Sequence, residues 1–213
     1  MEKDRNLIAE VKEMLDTLPD FDINRIDKDL EPVPPFKGNG PIKLVFIGQD
    51  PTIRNAQRRK DISVTLNLDK RGALRTYLER IVKGLDLSFD NVYATNLFKY
   101  FYTIPPADTP EVLMAHLQPN IALLKEELLN LPHCTIITLG EPVLKLLTED
   151  SFKVHDYWNY HGCGFHYIKA ENTKIGHCVF PFPHQPSINK SLYHDHLDAY
   201  IDFVKETVEC NEI

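Results

Sequence analysis

Short, almost wholly apolar runs rich in β-branched residues set the architecture of this chain. Ile42–Gly48 (IKLVFIG), Val92–Asn96 (VYATN) and Cys134–Leu139 (CTIITL) lack the strict in-out alternation of a half-solvated strand. Such runs belong to strands covered on both faces, as in parallel sheets flanked by helices. Cys178–Phe182 reads as a last short strand. The intervening segments have helical spacing: Leu74, Leu78, Ile81 and Val82 share one face of Gly72–Leu85, Pro110–Leu131 is a long helix, and another helix follows Gly140 through Leu147. Tyr157–Lys169 reads as irregular or hairpin structure, and a final helix spans roughly Tyr193–Val208. Strands separated by such helices predict βαβ units. The expected fold is α/β: a three-layer α/β/α sandwich with a central, mainly parallel four-stranded sheet.

A length of 213 residues suits one domain, 1–213, in which residues 1–35 supply an N-terminal helix and arm. Residues 3–18 carry Leu7, Ile8, Val11, Met14, Leu15 and Leu18 at helical spacing, and the proline- and glycine-rich Glu31–Pro41 is expected to be an extended arm. The charged start MEKDRNLIAEVKEML is unlike a signal peptide, and no apolar run reaches membrane-spanning length, so the expectation is a cytoplasmic protein with no membrane contact. Cys134, Cys163, Cys178 and Cys210 are irregularly spaced, without a C-x-x-C pair, and are expected to be reduced, mostly buried thiols.

Chemistry-bearing residues cluster where the predicted strands end. The first delivers Gly48, Gln49, Asp50 and Pro51; the second ends at Asn96; the last leads into Pro183, His184, Gln185, Pro186 and Ser187. In a parallel sheet these ends share one edge, where ligands bind in open α/β folds. A carboxylate, an amide and an imidazole converging there suit activation of water, reading of a heterocycle's edge and donation to a developing anion. Each motif alone has a plainer reading: Gly-Gln-Asp-Pro as a turn, Asn96 as a cap, His184 as a loop histidine.

Charge is distributed unevenly. The net charge is −7, but the first 35 residues carry −5 and the last 17 carry −4, so the span 36–196 holds +2. Arg54, Arg58, Arg59 and Lys60 directly follow the Asp50 turn, either as a solvated loop or as contacts to phosphates. Seven of the nine histidines lie after residue 150, which raises a metallohydrolase as a rival. His155, His161, His166 and His177 lack ligand spacing, however, and His194 and His196 are two apart at a helix start, which sends them to different faces, so no metal is expected. Trp158 reads as core, whereas Phe98, Tyr100, Phe101 and Tyr102 suit either packing or base stacking.

Four motifs in order resemble the uracil-DNA glycosylase superfamily across about Ile42 to Ser191. Gly48-Gln49-Asp50-Pro51 is similar to the family's water-activating loop, and VYATNLFKY (Val92–Tyr100) to the strand whose Asn reads uracil. CTIITLGEPVLKLL resembles the following strand–glycine–helix, and FPHQPSIN (Phe182–Asn189) the histidine-containing loop. The resemblance implies removal of a base flipped out of damaged DNA, with Asp50 and His184 as catalytic residues. Gly48, Gln49, Pro51, Thr52, Asn96, Gln185 and Ser187 are implied to bind substrate, and Arg54, Arg58, Arg59 and Lys60 to contact DNA phosphates. It implies no cofactor, and neither a cluster nor an obligatory protein partner is expected; the protein is expected to be a monomer.

Departures from the family pattern are specific. Thr52 stands where uracil-selective members have a Tyr that excludes a 5-methyl group. The segment DISVTLNLD lacks the Phe on which the flipped base stacks, leaving Ile62, Val64 or Leu66 in its place. In the altered loop, counting back from Asn189 puts His184 in the histidine position, while ungapped alignment puts Gln185 before Pro-Ser. A non-catalytic nucleic-acid- or nucleotide-binding member of the same fold is the alternative to the enzyme.

Overall fold

In the computed structural model, which describes residues 2–131, 133–149, 152–159 and 162–211, the sheet grows outward from one strand. This strand, β2 (Leu44–Gly48), is buried along its whole length. On one side it pairs in parallel with β3 (Val92–Asn96), Leu44 facing Val92 and Gly48 facing Asn96; on the other it pairs in parallel with β4 (Thr135–Leu139). Beyond β4 lies β5 (Phe180–Phe182), also parallel, with Leu139 opposite Phe182. The fold class expected from sequence is the one observed, and the carboxyl ends of all four strands share one edge.

Helices cover both faces because the connections run in opposite directions along the sheet. α2 (Ala73–Gly84) carries the chain from β2 to β3, whereas α3 (Pro110–Leu129) carries it back across β2 to β4. Right-handed crossovers in opposite directions place these helices on opposite faces. α4 (Glu141–Leu147) packs beside α3, and α6 (Leu197–Asn211) beside α2. At the second contact a Cβ on Gly84 would come 2.6 Å from Ile201 Cγ2, so the helices cross at their smallest residue. The connections leaving β2 and β4 diverge, opening a crevice above the sheet edge.

Several boundaries differ from the sequence expectations. The sheet has a fifth strand, β1 (Phe36–Lys37), antiparallel to β3 at the edge, within the segment expected to be an extended arm. Two residues are too few to show a period. What holds them is close backbone approach: Gly38 N–H donates to Val92 O at 2.8 Å, and a Cβ on Gly38 would lie 2.3 Å from Phe89 O. α1 (Glu2–Leu15) ends earlier than expected, and the final helix is split into α5 (Ser191–His194) and α6. Tyr157–Lys169, expected to be irregular or hairpin structure, carries isolated antiparallel bridges among its described residues, Trp158 with Phe165 and Ile168 with Val179.

The cysteine expectation fails in part: Cys134 is buried, Cys178 is half-buried, and Cys163 and Cys210 are exposed. Trp158 is core, as expected. Its ring stacks on Tyr200 at 4.3 Å, and Nε1 donates to Pro181 O at 2.7 Å. Phe98, Tyr100, Phe101 and Tyr102 are likewise buried, which removes them as stacking platforms for a base. Among the described residues no helix is long and apolar enough to cross a membrane. Gly38→Ala, which forces a methyl group against the Phe89 carbonyl, should destabilise the protein by about 1–3 kcal/mol, measured by urea denaturation followed by circular dichroism.

Candidate active site

Above the crevice lies a cavity of about 760 Å³. Asp50, Asn96 and His184, from three different strand ends, line it together. Pro51, Thr52, Ile53 and Arg58 from the turn after β2 contribute, as do Ile62, Leu66, Lys70 and Arg71 from the next connection and Gly72–Arg75 at the start of α2. The sheet's parallel order thus brings together residues up to 134 positions apart in the chain.

Asn96 owes its place to the absence of a side chain opposite it. Gly48 is its register partner, and a Cβ there would lie 2.4 Å from Asn96 Oδ1. The ladder continues beyond the strands, Leu97 N–H donating to Gly48 O and Phe98 N–H to Gln49 O, both at 2.8 Å, so the turn bearing Asp50 stays tied to the segment after Asn96. Asn96 is only 1% exposed, and its Oδ1 has no hydrogen-bond partner. A buried amide oxygen left unpartnered is costly. Here it borders a cavity.

Asp50 is held by its neighbours. Gln49 Nε2 donates to Oδ1 at 2.9 Å, and Thr52 N–H donates to Oδ2 at 2.8 Å, closing a turn around the carboxylate. Thr52 Oγ1 meanwhile accepts from Tyr102 N–H at 2.8 Å, which folds this side chain back towards the sheet. Despite these donors and the charge of Arg59, desolvation dominates and pushes the Asp50 pKa up from 3.8 to about 6. A carboxyl with this value is ionised, and a competent base, at pH 7.

His184 follows β5. Tyr77 OH on α2 donates to Pro183 O at 3.2 Å, and Ser187 N–H donates to His184 O at 2.8 Å. Gly140, at φ +99°, donates its N–H to Phe182 O, and a Cβ at this glycine would stand 3.3 Å from that of His184. The imidazole is exposed at the cavity wall, and desolvation lowers its pKa below 6.5, so it is neutral at pH 7. Neither ring nitrogen has a protein partner among the described residues. Gln185 and Ser187 are not part of the lining: of the two candidates in this loop, His184 faces the cavity.

The basic cluster divides. Arg59 is a correction to the phosphate-contact expectation: it is 3% exposed and turned inward, Nε donating to Ile53 O and Nη1 to Tyr102 O and Thr103 O. Three carbonyls at the ends of loops require a fork of donors, and a planar guanidinium supplies it. Arg54 and Lys60 are exposed away from the cavity, and only Arg58 lines it.

Lys70, Arg71 and Arg75, which sequence reasoning missed, stand at the mouth instead. Lys70 is tied to Asp61 O; Arg75 is tied to Leu68 O and Glu79 and lies over the Phe89 ring. The sequence signal of the first two is the D-K-R-G run that precedes α2, and Arg75 stands in that helix's first turn.

Of the three residues that could replace the stacking Phe, Leu66 and Ile62 line the cavity and Val64 does not. Leu66 is held at φ 57°, a left-handed conformation costly for a side chain of its kind, with Cδ2 3.0 Å from the place a Gly48 Cβ would occupy. His161 lies outside the described residues.

A scan against protein families matches residues 35–205 to the Uracil DNA glycosylase superfamily. The chain belongs to this superfamily. No curated protein matches the sequence. The matched span contains the whole sheet and all three of the residues that meet in the cavity.

The raised Asp50 pKa links the site to stability. Between pH 4 and 6 the folded protein keeps a proton that the unfolded chain has lost, so this group's contribution falls as pH rises through that window. The full deficit, roughly 3 kcal/mol, is present above pH 6. Asp50→Asn should therefore raise the melting temperature at pH 7.5, and the gain should vanish at pH 4, as read by paired calorimetric scans.

Proposed function

We propose that this protein is a DNA glycosylase that hydrolyses the N-glycosidic bond of uracil, or of a related damaged base, in DNA. The reading is carried by one observation: an ionisable carboxyl with a raised pKa, an unpartnered buried amide oxygen and an unpartnered neutral imidazole line a single cavity. Superfamily membership supports a glycosylase fold and chemistry of this kind.

In this mechanism the nucleotide swings out of the stack into the cavity, which costs a few kcal/mol and least for unpaired bases. Asn96 Oδ1 accepts from the base's imide N–H, gaining the partner it lacks. Leu66 and Ile62 form the apolar floor. As the C1′–N bond breaks, its electron pair leaves with the base. A ring nitrogen of His184 donates to the base oxygen on which that charge develops, as an oxyanion donor does.

The carboxylate of Asp50 stabilises the cationic sugar and takes a proton from the water whose oxygen bonds to C1′. An aromatic base leaves as a delocalised anion, so the chemistry calls for no cofactor. Arg58, Lys70 and Arg71 at the mouth suit the DNA backbone, giving an acidic protein a locally basic entrance.

Release of free base from single-stranded and duplex oligonucleotides containing uracil, mismatched thymine or hypoxanthine tests the proposal. The rate should rise through pH 6 and level off by pH 8, following ionisation of Asp50. Asp50→Asn should abolish release while DNA binding persists, and His184→Ala should slow it by about 10²–10³-fold. Because Thr52 is folded back against Tyr102, 5-methyl and larger 5-substituents should be tolerated. No release from any of these substrates, with binding retained, would assign the protein to the non-catalytic alternative. Arg58→Ala and Arg71→Ala should each weaken binding across sequences and reduce the salt dependence by about one phosphate contact, measured by fluorescence anisotropy.

A further inference from the structure

Behind the cavity, on the α3 side of the sheet, is a buried ionic network that the mechanism above does not use. Lys99 is 0% exposed, and its Nζ donates to the backbone carbonyl of Asn96 at 3.0 Å. The same ammonium lies 2.8 Å from Glu127 Oε2 near the end of α3, off the hydrogen-bonding direction, so the contact is an ion pair. Tyr93, three residues before Asn96 on β3, donates its hydroxyl to Glu127 Oε1 at 2.5 Å. Strand pleat sends Tyr93 towards α3 and Asn96 to the opposite face.

The geometry points to Lys99 as a positioning residue: through the Asn96 carbonyl it fixes the backbone from which the cavity-lining amide projects. Two features argue for this role over simple stabilisation. A buried ion pair gives back in desolvation about what it gains in attraction, and well-packed apolar residues replace such pairs without loss. Moreover, Glu127 neutralises the ammonium, so Lys99 contributes little net field to the cavity. What remains is a rigid tether from α3 to the residue where β3 ends. The ladder on the other side, Leu97 N–H to Gly48 O, holds the same peptide, so Asn96 is gripped from two directions. A misplacement of about 1 Å at such a point costs on the order of 10²-fold in rate.

The functional half of this inference rests on the proposed reading of Asn96, and the experiment separates the two. The double variant Lys99→Met/Glu127→Leu removes both charges while keeping the volume apolar. Three quantities are measured on it and on the wild type: melting temperature, kcat and KM for uracil release, and the Asn96 side-chain amide cross-peaks in a 1H–15N spectrum. The expected result is a variant still folded at the assay temperature, a fall of about 10²-fold in kcat with KM little changed, and shifted or broadened Asn96 cross-peaks. The Asn91 amide, at the other end of β3, should be unmoved.

Wild-type kcat, or unmoved Asn96 cross-peaks, in a folded double variant would overturn the role of Lys99. If the wild type itself releases no base, the glycosylase reading fails, and the Asn96 cross-peaks alone decide the positioning claim. Should the double variant not fold, Tyr93→Phe deletes a single hydroxyl from the network. It should move the Asn96 cross-peaks in the same direction, and unmoved peaks there would likewise overturn the proposal.

Discussion

The parallel pairing of β2 with β3 is the contact on which everything near the cavity depends. Its register sets Gly48 against Asn96, and only a residue without a Cβ leaves room for the amide. A shift of one residue would turn Asn96 to the α3 face and bring Thr95 or Leu97 to the cavity. The register is secured from below by the fully buried Leu44–Ile47 run and from above by two further backbone bonds that extend into the Asp50 turn. Placement of the amide and of the carboxylate is therefore a single structural fact.

The distribution of positive charge follows a similar logic. Two cations, Arg59 and Lys99, lie inside the fold with their donors on backbone carbonyls of functional loops. Others stand at the mouth. The cations at the mouth concentrate positive potential where an anionic chain would enter, while most of the acidic terminal segments, residues 1–34 and 206–213, fall outside the matched family span.

Much of this was legible in the sequence, and the rest was hidden for identifiable reasons. The parallel strands announced themselves because burial on both faces leaves no charged positions in LVFIG or TIITL. Their shared edge made Asp50, Asn96 and His184 candidates before any coordinates. The edge strand at Phe36–Lys37 escaped because two residues carry no periodicity, and its cause is a backbone contact at Gly38. Arg59 was misread because Arg58, Arg59 and Lys60 are alike in sequence, and only the three carbonyls awaiting a donor distinguish the middle one. Leu66 could not be chosen over Val64 because a left-handed φ at a leucine breaks the local rule from which side-chain direction is inferred.

The chain has one tryptophan, and its position gives that residue an unintended use. Trp158 is fully buried against Tyr200, with its indole N–H on Pro181, in the strand that leads to His184. Intrinsic fluorescence therefore reports on the β5 and α6 side of the molecule rather than on the whole. A shift in emission on adding an oligonucleotide would register movement of the histidine loop without any label.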